Sequence, residues 1–506
     1  MNKAACCLAA SVALMVVGVA SGQLTTQTMA STVSTCTAPK QLTWVGYPHV
    51  NLGGDVVFIG QTCDPAYNGV YVASTSSGSL TRNLYVAQST SPTSGFQWFR
   101  DYPAINDSST VAFKGARISG STLVEGVYTA TATTWTKVAE TSSTGFESFD
   151  NGIPDGRVRI NAVGQVLFGA RLHPDGGHPF STNSLWVHTP PSTLTQVCRE
   201  GDAIDGGTLV SVMAWDFNKN GTIVMFGQYD DGMYTYAGVW RGTSAGLSLV
   251  LSTPVPDWGY FPGVFVNHQG DFAIECNAHV GVGMRDEWNI QTAPPMSRIT
   301  MAAGGMTAPG TGGLQFIVSC PVTGNILRSI NPPSINFGRQ GIFHSLAAST
   351  NCTGYADTDG FWYWDGTTLS AEAVRGQNTS SWTGGSALET FADSTTFAPT
   401  VAINDATYSA FLANVTTNSV NGTALFARAG TSKYRVAGYY NGEELWFGQG
   451  TTNTALVGND NLNSGYGRLS NCGYLVYRVS GATTQTIERP RLGLYCVIPF
   501  DGIPEE

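Results

Sequence analysis

The sequence predicts an all-β protein, a β-propeller of eight blades with seven blades as the alternative. Three observations lead to this prediction. An asparagine stands seven residues before a large apolar residue at seven places, and six residues before one at an eighth. An aromatic residue follows each of these asparagines after 20 to 26 residues. Gly numbers 60 while only 12% of the residues are charged, a composition typical of many short strands joined by tight turns.

Each asparagine is expected to start a turn that leads into a strand. Asn bonds its own backbone and, like Gly, tolerates positive φ, and the apolar residues that follow alternate with the period of a strand. The asparagines are Asn51, Asn106, Asn161, Asn218, Asn267, Asn336, Asn404 and Asn471. The apolar residues that they lead are Phe58, Phe113, Phe168, Met225, Ile274, Phe343, Phe411 and Tyr477.

A second and a third strand are expected in each unit. The second carries the aromatic residue: Tyr71, Tyr128, Trp186, Trp240, Trp288, Trp362, Phe426 or Tyr495. The third follows in seven units at residues 84–87, 136–139, 194–197, 247–250, 299–302, 369–374 and 434–437. A unit of three or four strands cannot cover its own apolar faces, so the units must stack, and radial stacking gives a propeller. Seven blades is the alternative because the unit at Asn267 is the least regular.

The beginning of the chain carries two predictions. Residues 1–22 have a positive start, an apolar stretch and small residues at their end, which indicates a secretory signal peptide, with a signal anchor as the alternative. Residues 23–46 are expected to close the ring by adding a strand to the last blade, because the last unit has no third run. Residues 47–506 then form one propeller domain without a linker. We expect a protein that is secreted or extracytoplasmic, in the periplasm or at the cell surface, without a membrane span after signal cleavage.

Eight cysteines remain after the signal, and an even number in an exported chain favours disulfides. Sequence neighbours are the expected partners, except that Cys36 with Cys496 would staple the closing seam. No two of the eight have the close spacing of a structural zinc site. The formal charge of -10 and the scarcity of Lys argue against a nucleic-acid partner, since such binding needs clustered cations.

The repeated Asn-x-x-Gly-x-Val-x-Phe pattern, followed by Gly-Val-Tyr or Gly-Val-Trp, resembles the secreted bacterial proteins named for a tandem NxxGxxAF repeat with a choice of anchor. The resemblance covers most of the mature chain and is clearest at residues 106–113, 161–168 and 404–411. Asn106, Asn336 and Asn404 lack the glycine, and no anchor follows. The resemblance implies an exported repeat protein whose biochemical activity is unknown.

Two short stretches have the residue types of a divalent cation site. In the first, two imidazoles and a carboxylate, His173, Asp175 and His178, lie within six residues; in the second, Asp357 and Asp359 alternate before a glycine as at the start of a calcium loop. Both also have ordinary turn chemistry, which is the more frequent use of such residues. No cofactor is assigned from the sequence, and a divalent cation stays a hypothesis.

The hairpins that join each apolar strand to its aromatic strand should all emerge on one side of the ring, which we call the rim. The titratable residues expected there are Asp64, His173, Asp175, His178, Asp230, Asp231, His279, Arg285, Asp286, Glu287, Asp357, Asp359, Glu488, Arg489 and Arg491. Loops on a rigid scaffold are where binding sites concentrate, although polar residues collect in any exposed loop. The rim is therefore the hypothetical functional face.

These observations favour a non-catalytic exported protein that binds a carbohydrate, a surface polymer or another protein through one face. The alternative is a secreted propeller glycoside hydrolase or polysaccharide lyase, which needs two carboxylates, or a carboxylate and a histidine, across a cleft. Its candidate carboxylates are Asp231, Asp286, Glu287 and Asp359. A structural protein of the cell surface without any small ligand is the third possibility.

Overall fold

The structure, a computed structural model, is an eight-bladed β-propeller in which strands dominate. It describes residues 24, 26–76, 79–100, 102–132, 134–142, 145–149, 157–254, 265–267, 269–280, 283–292, 298–317, 333–336, 338–349, 358–392, 401–404, 407–418, 420–440, 444–446, 469, 474–480 and 484–492. No α-helix occurs among these residues, and none of their elements could cross a membrane as a helix.

Each blade is an antiparallel sheet whose strands run outwards in chain order, and we call the four positions A to D from the axis. In five blades, position A is shared by two short strands. Blade 1 contains β2 (Leu42–Val45), β3 (His49–Val50), β4 (Val56–Thr62), β5 (Gly69–Ser76) and β6 (Ser79–Ala87), and blade 2 contains β7 (Gly95–Phe99), β8 (Ala104–Ile105), β9 (Val111–Ser119), β10 (Thr122–Thr131) and β11 (Thr134–Glu140). Blade 3 contains β12 (Phe146–Ser148), β13 (Val158–Ile160), β14 (Val166–Leu172), β15 (Thr182–Thr189) and β16 (Thr193–Arg199). Blade 4 contains β17 (Ala203–Ile204), β18 (Gly207–Phe217), β19 (Ile223–Asp230), β20 (Thr235–Thr243) and β21 (Gly246–Pro254).

The second half of the ring repeats this order. Blade 5 contains β22 (Phe265–Val266), β23 (Phe272–Val280), β24 (Gly283–Gln291) and β25 (Arg298–Ala303). Blade 6 contains β26 (Gln315–Ile317), β27 (Ser334–Ile335), β28 (Gly341–Ala348), β29 (Thr358–Trp364) and β30 (Leu369–Val374). Blade 7 contains β31 (Glu389–Phe391), β32 (Val401–Ile403), β33 (Ser409–Thr417), β34 (Val420–Ala429) and β35 (Ser432–Tyr440). All seven runs expected as third strands lie within the D strands of their blades.

Blade 8 combines the two ends of the described chain. Its strands from the axis outwards are β36 (Glu444–Trp446), β37 (Tyr477–Ser480), β38 (Gln485–Pro490) and β1 (Thr26–Ser31). β1 pairs antiparallel with β38, so the outermost strand of the last blade comes from the beginning of the chain. Residues 42–45 belong to blade 1.

The disulfide expected at this seam is wrong. Cys36 pairs with Cys63, its neighbour in the sequence, and so ties the segment after β1 to blade 1; Cys496 lies outside the described residues. Pairing between neighbours does not extend to Cys198, which is a buried free thiol packed 3.3 Å from the sulfur of Met225.

Arginines join blade 8 to blade 1 in place of that disulfide. The buried guanidinium of Arg489 donates to the carbonyl of Gly54, to Thr75 and, at 2.7 Å, to Gln27. Arg478 donates to the carbonyl of Val45 at 2.7 Å. Hydrogen bonds from a charged donor are worth about 1.5–3 kcal/mol, so polar contacts hold this seam together.

The two signals read from the sequence meet across strands B and C. In six blades the apolar residue led by the asparagine lies directly opposite its aromatic: Phe58 and Tyr71, Phe113 and Tyr128, Phe168 and Trp186, Met225 and Trp240, Phe343 and Trp362, Phe411 and Phe426. Blade 5 is shifted by one residue, with Glu275 opposite Trp288. In blade 8 Glu488 of β38 is opposite Tyr477, and Tyr495, the aromatic expected in this unit, lies outside the described residues.

The glycine two residues before several of these aromatics makes room for the ring. A Cβ at Gly238 would lie 2.5 Å from Cη2 of Trp240, and one at Gly126 would lie 2.7 Å from the hydroxyl of Tyr128. A Cβ atom does not approach other heavy atoms this closely in real structures, so the ring occupies the space where a side chain would begin. The Gly-Val-aromatic pattern is therefore a packing requirement of strand C.

Asparagines link neighbouring blades around the axis, with bonds between blades 1 and 2, 2 and 3, 4 and 5, and 5 and 6. In the described residues, the side-chain oxygen of seven of them accepts from the backbone amide four residues later. The side-chain amide then donates to the backbone carbonyl of the asparagine in the next blade, from Asn51 to Asn106 at 3.1 Å and from Asn106 to Asn161 at 3.1 Å. The same bond joins Asn218 to Asn267 and Asn267 to Asn336. We call this chain of bonds the asparagine belt.

The three turns that lack the glycine keep its backbone conformation. The third residue after the asparagine has φ between +57° and +84° in seven blades, at Gly54, Ser109, Gly164, Gly221, Gly270, Arg339 and Thr407. Two of the non-glycine side chains bind the preceding blade: Ser109 bonds Asp55, and Arg339 forms an ion pair with the fully buried Asp271 at 2.9 Å. These two side chains compensate part of the backbone strain.

Thr407→Gly is expected to stabilise the protein, because a β-branched residue at φ +63° carries left-handed strain of about 1–2 kcal/mol. After the entropic cost of glycine, we expect a gain of about 1 kcal/mol in the free energy of unfolding, measured by urea denaturation. Gly164→Ala is the mirror control. Its φ is +82° and the nearest atom to an added Cβ lies 3.5 Å away, so strain alone should lower stability. Equal stability of the two variants would contradict the strain argument.

The belt also defines the two sides of the ring. All described asparagine turns lie between strands A and B, and the belt bonds place them on one side. Because strands B and C are antiparallel, the B–C hairpins lie at the opposite end of each blade. The rim is thus the side away from the asparagine belt, and the connections from strand D to the next strand A reach the same side.

Candidate functional site

An open cleft of about 680 Å³ lies on the rim between blades 3 and 4. The B–C hairpins of the two blades and the connection between them supply its walls, and residues 157–254 are described without a gap. The lining residues are Gly177, His178, Pro179, Phe180, Thr182, Glu200, Gly201, Thr208, Leu209, Val210, Asp230 and Gly232. Of the predicted site residues, His178 lines the cleft, and Asp175 and Asp231 lie in its two hairpins.

Asp175 organises the blade 3 hairpin. One carboxylate oxygen accepts from the backbone amides of Gly177 at 2.9 Å and His178 at 3.0 Å, and the other pairs with Arg199 at the end of β16. Arg199, followed by these backbone amides, lowers the pKa of Asp175 to about 2. The carboxylate is used for the turn and the ion pair. His173 contributes its backbone carbonyl, which accepts from Arg199.

His178 closes one end of the cleft against the connection between the blades. Its Nε2 lies 2.9 Å from Asp202, whose other oxygen accepts from Gln196 at 3.3 Å. The ring lies over Gly201, where an added Cβ would be 2.7 Å from Nδ1. The Asp202 contact thus fixes the orientation of the imidazole.

Glu200 connects blade 3 to blade 4 along the floor of the cleft. Its carboxylate accepts from the backbone amide of Asn183 at 2.8 Å, from the Asn183 side chain at 3.2 Å and from the backbone amide of Val212 at 3.1 Å. All of these donors are neutral. The negative charge of Glu200 is therefore held in place without a cationic partner among them.

Asp230 and Asp231 build the blade 4 hairpin in the same way. Asp230 accepts from the backbone amide of Gly232 at 2.7 Å, and Asp231 accepts from those of Met233 and Tyr234, both at 2.8 Å. The backbone donors at Tyr234 and Met233 lower the pKa of Asp231. Both side chains are turn acceptors bonded by neutral amides.

Apolar side chains project from the same walls. Phe180 is 79% exposed, Val210 45%, Met233 80% and Tyr234 62%. Phe180 and Val210 line the cleft, while Met233 and Tyr234 directly follow the lining residue Gly232. They are four of the ten large exposed apolar residues found in the described part of the chain. Phe180, Met233 and Tyr234 are apolar residues inside Gly- and Asp-rich hairpins, and this is the one signal that the sequence carried for them. A search for titratable residues alone did not find them.

The other predicted rim residues are not brought to this cleft. His279 lies on β23, and Asp286 and Glu287 lie on β24, so their placement in a hairpin loop is wrong. Asp359 is also a strand residue; it is buried in β29 with a carboxylate oxygen 3.2 Å from Nε2 of His344. Asp357 lies outside the described residues.

Two further groups of residues expected on the rim stabilise the fold, one in a turn and the other in blade 8. Asp64 caps the short 3₁₀ turn Pro65–Tyr67 by accepting from Ala66. Glu488 and Arg489 are in strand β38, and Arg491 follows it; Arg489 reaches Gly54 in an asparagine turn, on the side opposite to the rim. No cluster of three or more His, Cys, Asp or Glu residues suited to a metal occurs in the described ranges.

Comparison with known proteins adds a partial family match. Residues 11–208, less than half of the chain, match the model of a family of unknown function, DUF7453. No curated protein matches.

Three solved structures match this chain at low similarity. An acylaminoacyl peptidase from Pyrococcus horikoshii has 10% identity and a TM-score of 0.38, over 78% of this chain and 52% of that one. Prolyl oligopeptidase B from Galerina marginata has 7% identity and a TM-score of 0.40, over 87% and 56%. The polysaccharide lyase Uly1 has 10% identity and a TM-score of 0.30, over 65% and 77%. The chain spans about half the length of these peptidases, and such scores carry no argument about activity.

Proposed function

We propose that this chain is an exported binding protein that uses the rim cleft between blades 3 and 4. The observation that supports the proposal is the concentration of exposed Phe180, Met233 and Tyr234 around a concave surface with ordered carboxylates. Soluble proteins rarely expose clustered large apolar side chains without a partner. Aromatic side chains near buried polar groups are the usual anchors of such contacts.

The state of Asp175 and Asp231 argues against a general-acid role for these two carboxyl groups. A general acid needs a carboxyl group whose pKa is raised, whereas Arg199 and backbone amides lower the pKa of Asp175, and backbone amides lower that of Asp231. Both groups stay ionised near neutral pH and serve as hydrogen-bond acceptors. A binding role uses them as they are.

Export is part of the proposal and comes from the sequence. The apolar residues 1–22 and the resemblance to secreted NxxGxxAF-repeat proteins support it. The disulfide between Cys36 and Cys63 is compatible with an oxidising compartment. The partner would then be a carbohydrate, a surface polymer or a protein outside the cytoplasm.

The test is a ligand screen with a glycan array and a peptide panel, followed by measurement of Kd for each binder. The variant Phe180→Ala/Met233→Ala/Tyr234→Ala removes the apolar anchors but leaves the backbone amides that bond Asp231. Loss of buried anchors typically weakens binding by about tenfold or more, and we expect that loss here.

The matched control is Val163→Ala/Leu388→Ala, which removes two equally exposed apolar side chains elsewhere. Val163 lies in the asparagine turn of blade 3, and Leu388 lies beside Thr417 at the rim end of blade 7. This control should bind like the parent. Ligands that bind the triple variant and the parent equally would show that another surface is used, and the proposal would fail.

A further inference from the structure

We infer that the partner of the rim cleft is a protein segment in which Lys or Arg residues flank apolar side chains. This inference rests on the proposed function and adds the chemistry of the ligand. It follows from the charge on the cleft walls, from the neutral groups that hold this charge and from the exposed side chains beside it.

The segments that contribute to the cleft carry an excess of negative charge, and two of their carboxylates, Glu200 and Asp230, line it. The three segments that form the cleft, residues 173–181, 199–209 and 229–236, contain six carboxylates and one arginine. The carboxylates are Asp175, Glu200, Asp202, Asp205, Asp230 and Asp231. The arginine, Arg199, is paired with Asp175.

Four of the other carboxylates in these segments are bonded by neutral donors. Glu200, Asp230 and Asp231 are bonded by neutral amides, and Asp205 accepts from the backbone amide of Leu249 at 2.9 Å. Asp202 contacts the imidazole of His178, with Nε2 2.9 Å from its carboxylate. Fixed carboxylates around a concave surface focus a negative potential, which attracts cations.

The exposed side chains fit the same occupant. Rings such as Phe180 and Tyr234 attract an ammonium or guanidinium group placed over their face, and they also cover the aliphatic stems of Lys and Arg. Met233 and Val210 offer flexible apolar contacts to neighbouring side chains of a peptide. A mixed basic and apolar segment would satisfy both features of the cleft.

The negative charge of these segments also argues against two other occupants of the cleft. A second copy of the chain would bring a net charge of -10 and the same acidic surface to the cleft, so self-association is opposed by repulsion. A polysaccharide made of uronic or sulfated sugars would meet the same repulsion. A neutral glycan would donate hydroxyl hydrogen bonds to the carboxylates but has no charge for them to attract over a distance, and it becomes an outcome of the test.

The probes are a fluorescein-labelled Leu-Lys-Gly repeat peptide, the same peptide with Glu in place of Lys, and a neutral glucose oligosaccharide. Binding to the full mature chain is measured by anisotropy, with calorimetry for the sugar. Asp202→Asn/Asp230→Asn removes two charges and keeps acceptor oxygens. Asp365→Asn is the control, because Asp365 builds a similar exposed turn, accepting from Thr367 and Thr368, between strands C and D on the opposite side.

We expect the Lys peptide to bind the parent and D365N equally, and to bind D202N/D230N at least about fivefold more weakly. Raising salt from about 50 to about 500 mM should weaken binding of the Lys peptide to the parent, since screening shortens the range of surface charges. The Glu peptide should not bind.

Two results would overturn the inference. Equal binding of the Lys and Glu peptides, or unchanged binding to D202N/D230N, would show that charge does not select the ligand. Binding of the neutral sugar alone, lost in F180A/M233A/Y234A, would refute the basic partner while the proposed function stands. If no probe or screened ligand depends on either set of variants, the proposed function fails as well.

Discussion

Replacing Trp240 by Ala is expected to lower the free energy of unfolding by about 3–5 kcal/mol, the usual cost of removing a fully buried large aromatic side chain. Trp240 lies opposite Met225 in the core between blades 3 and 4 and has no exposed surface. Its ring also packs edge-on against Tyr229, with centroids 5.6 Å apart. The change would leave a cavity where two blades meet, so urea denaturation should show a lower midpoint.

Trp240→Phe separates packing from hydrogen bonding at this position. The Trp240 indole donates from Nε1 to the carbonyl of Asp205 at 2.9 Å, in the connection beside the rim cleft. Phe keeps most of the apolar contact and loses this bond, so we expect a smaller loss of about 1–3 kcal/mol. Trp135→Ala serves as the exposed control, since that ring is 41% accessible. A loss for W240A no larger than that for W135A would show that the blade interface does not depend on Trp240.

The asparagine belt leads to the second large effect. Asn106→Ala should lower the free energy of unfolding by about 2–4 kcal/mol, because the amide of Thr110 loses its side-chain acceptor and the carbonyl of Asn161, which also accepts from Gly164, loses its donor from the neighbouring blade. The Asn106 side chain accepts from the amide of Thr110 at 2.9 Å and donates to the carbonyl of Asn161 at 3.1 Å. The first bond shapes a turn and the second joins two blades.

Asn106→Asp distinguishes these two roles. It keeps the acceptor for Thr110 but places a carboxylate against the carbonyl of Asn161, so we expect it to cost at least as much as N106A at pH 7. A buried carboxyl that prefers its neutral form has a raised pKa in the folded state, so the penalty of ionisation should shrink as the pH falls through that raised pKa and be relieved below about pH 4, the ordinary pKa of Asp. Asn421→Ala, at an exposed asparagine, is the control. If N106D were as stable as the parent at pH 7, the bond between blades would contribute nothing.

Most of the fold could be predicted from the spacing of the repeats. Asn, apolar and aromatic positions were separable in the sequence because each has a local cause: the turn needs Asn, the strand needs alternation, and rings such as that of Trp240 lie over a glycine two residues earlier. Ser109, Arg339 and Thr407 are informative exceptions, since the turn keeps a left-handed residue there without glycine. Local rules describe what a turn prefers, while contacts such as Arg339 to Asp271 determine what it tolerates.

The candidate site was only partly visible in the sequence. His178, Asp175 and Asp231 lie at the cleft, but Asp286, Glu287 and Asp359 are in strands, because the position at which a hairpin turns depends on register rather than on composition. Phe180, Met233 and Tyr234 gained meaning only when the two hairpins came together. Loop residues far apart in the chain have no periodicity that links them.

By itself, the sequence determined that strands form, where their turns begin and which residues enter the blade cores, since propensity and burial act over a few neighbouring residues. Only the tertiary structure decided how the seam of the ring is bonded, with Cys36 joined to Cys63 and Arg489 reaching Gly54. It also decided that one cleft, between blades 3 and 4, gathers the acidic and exposed apolar residues. These are contacts between distant segments, and closure of the ring determines which segments meet.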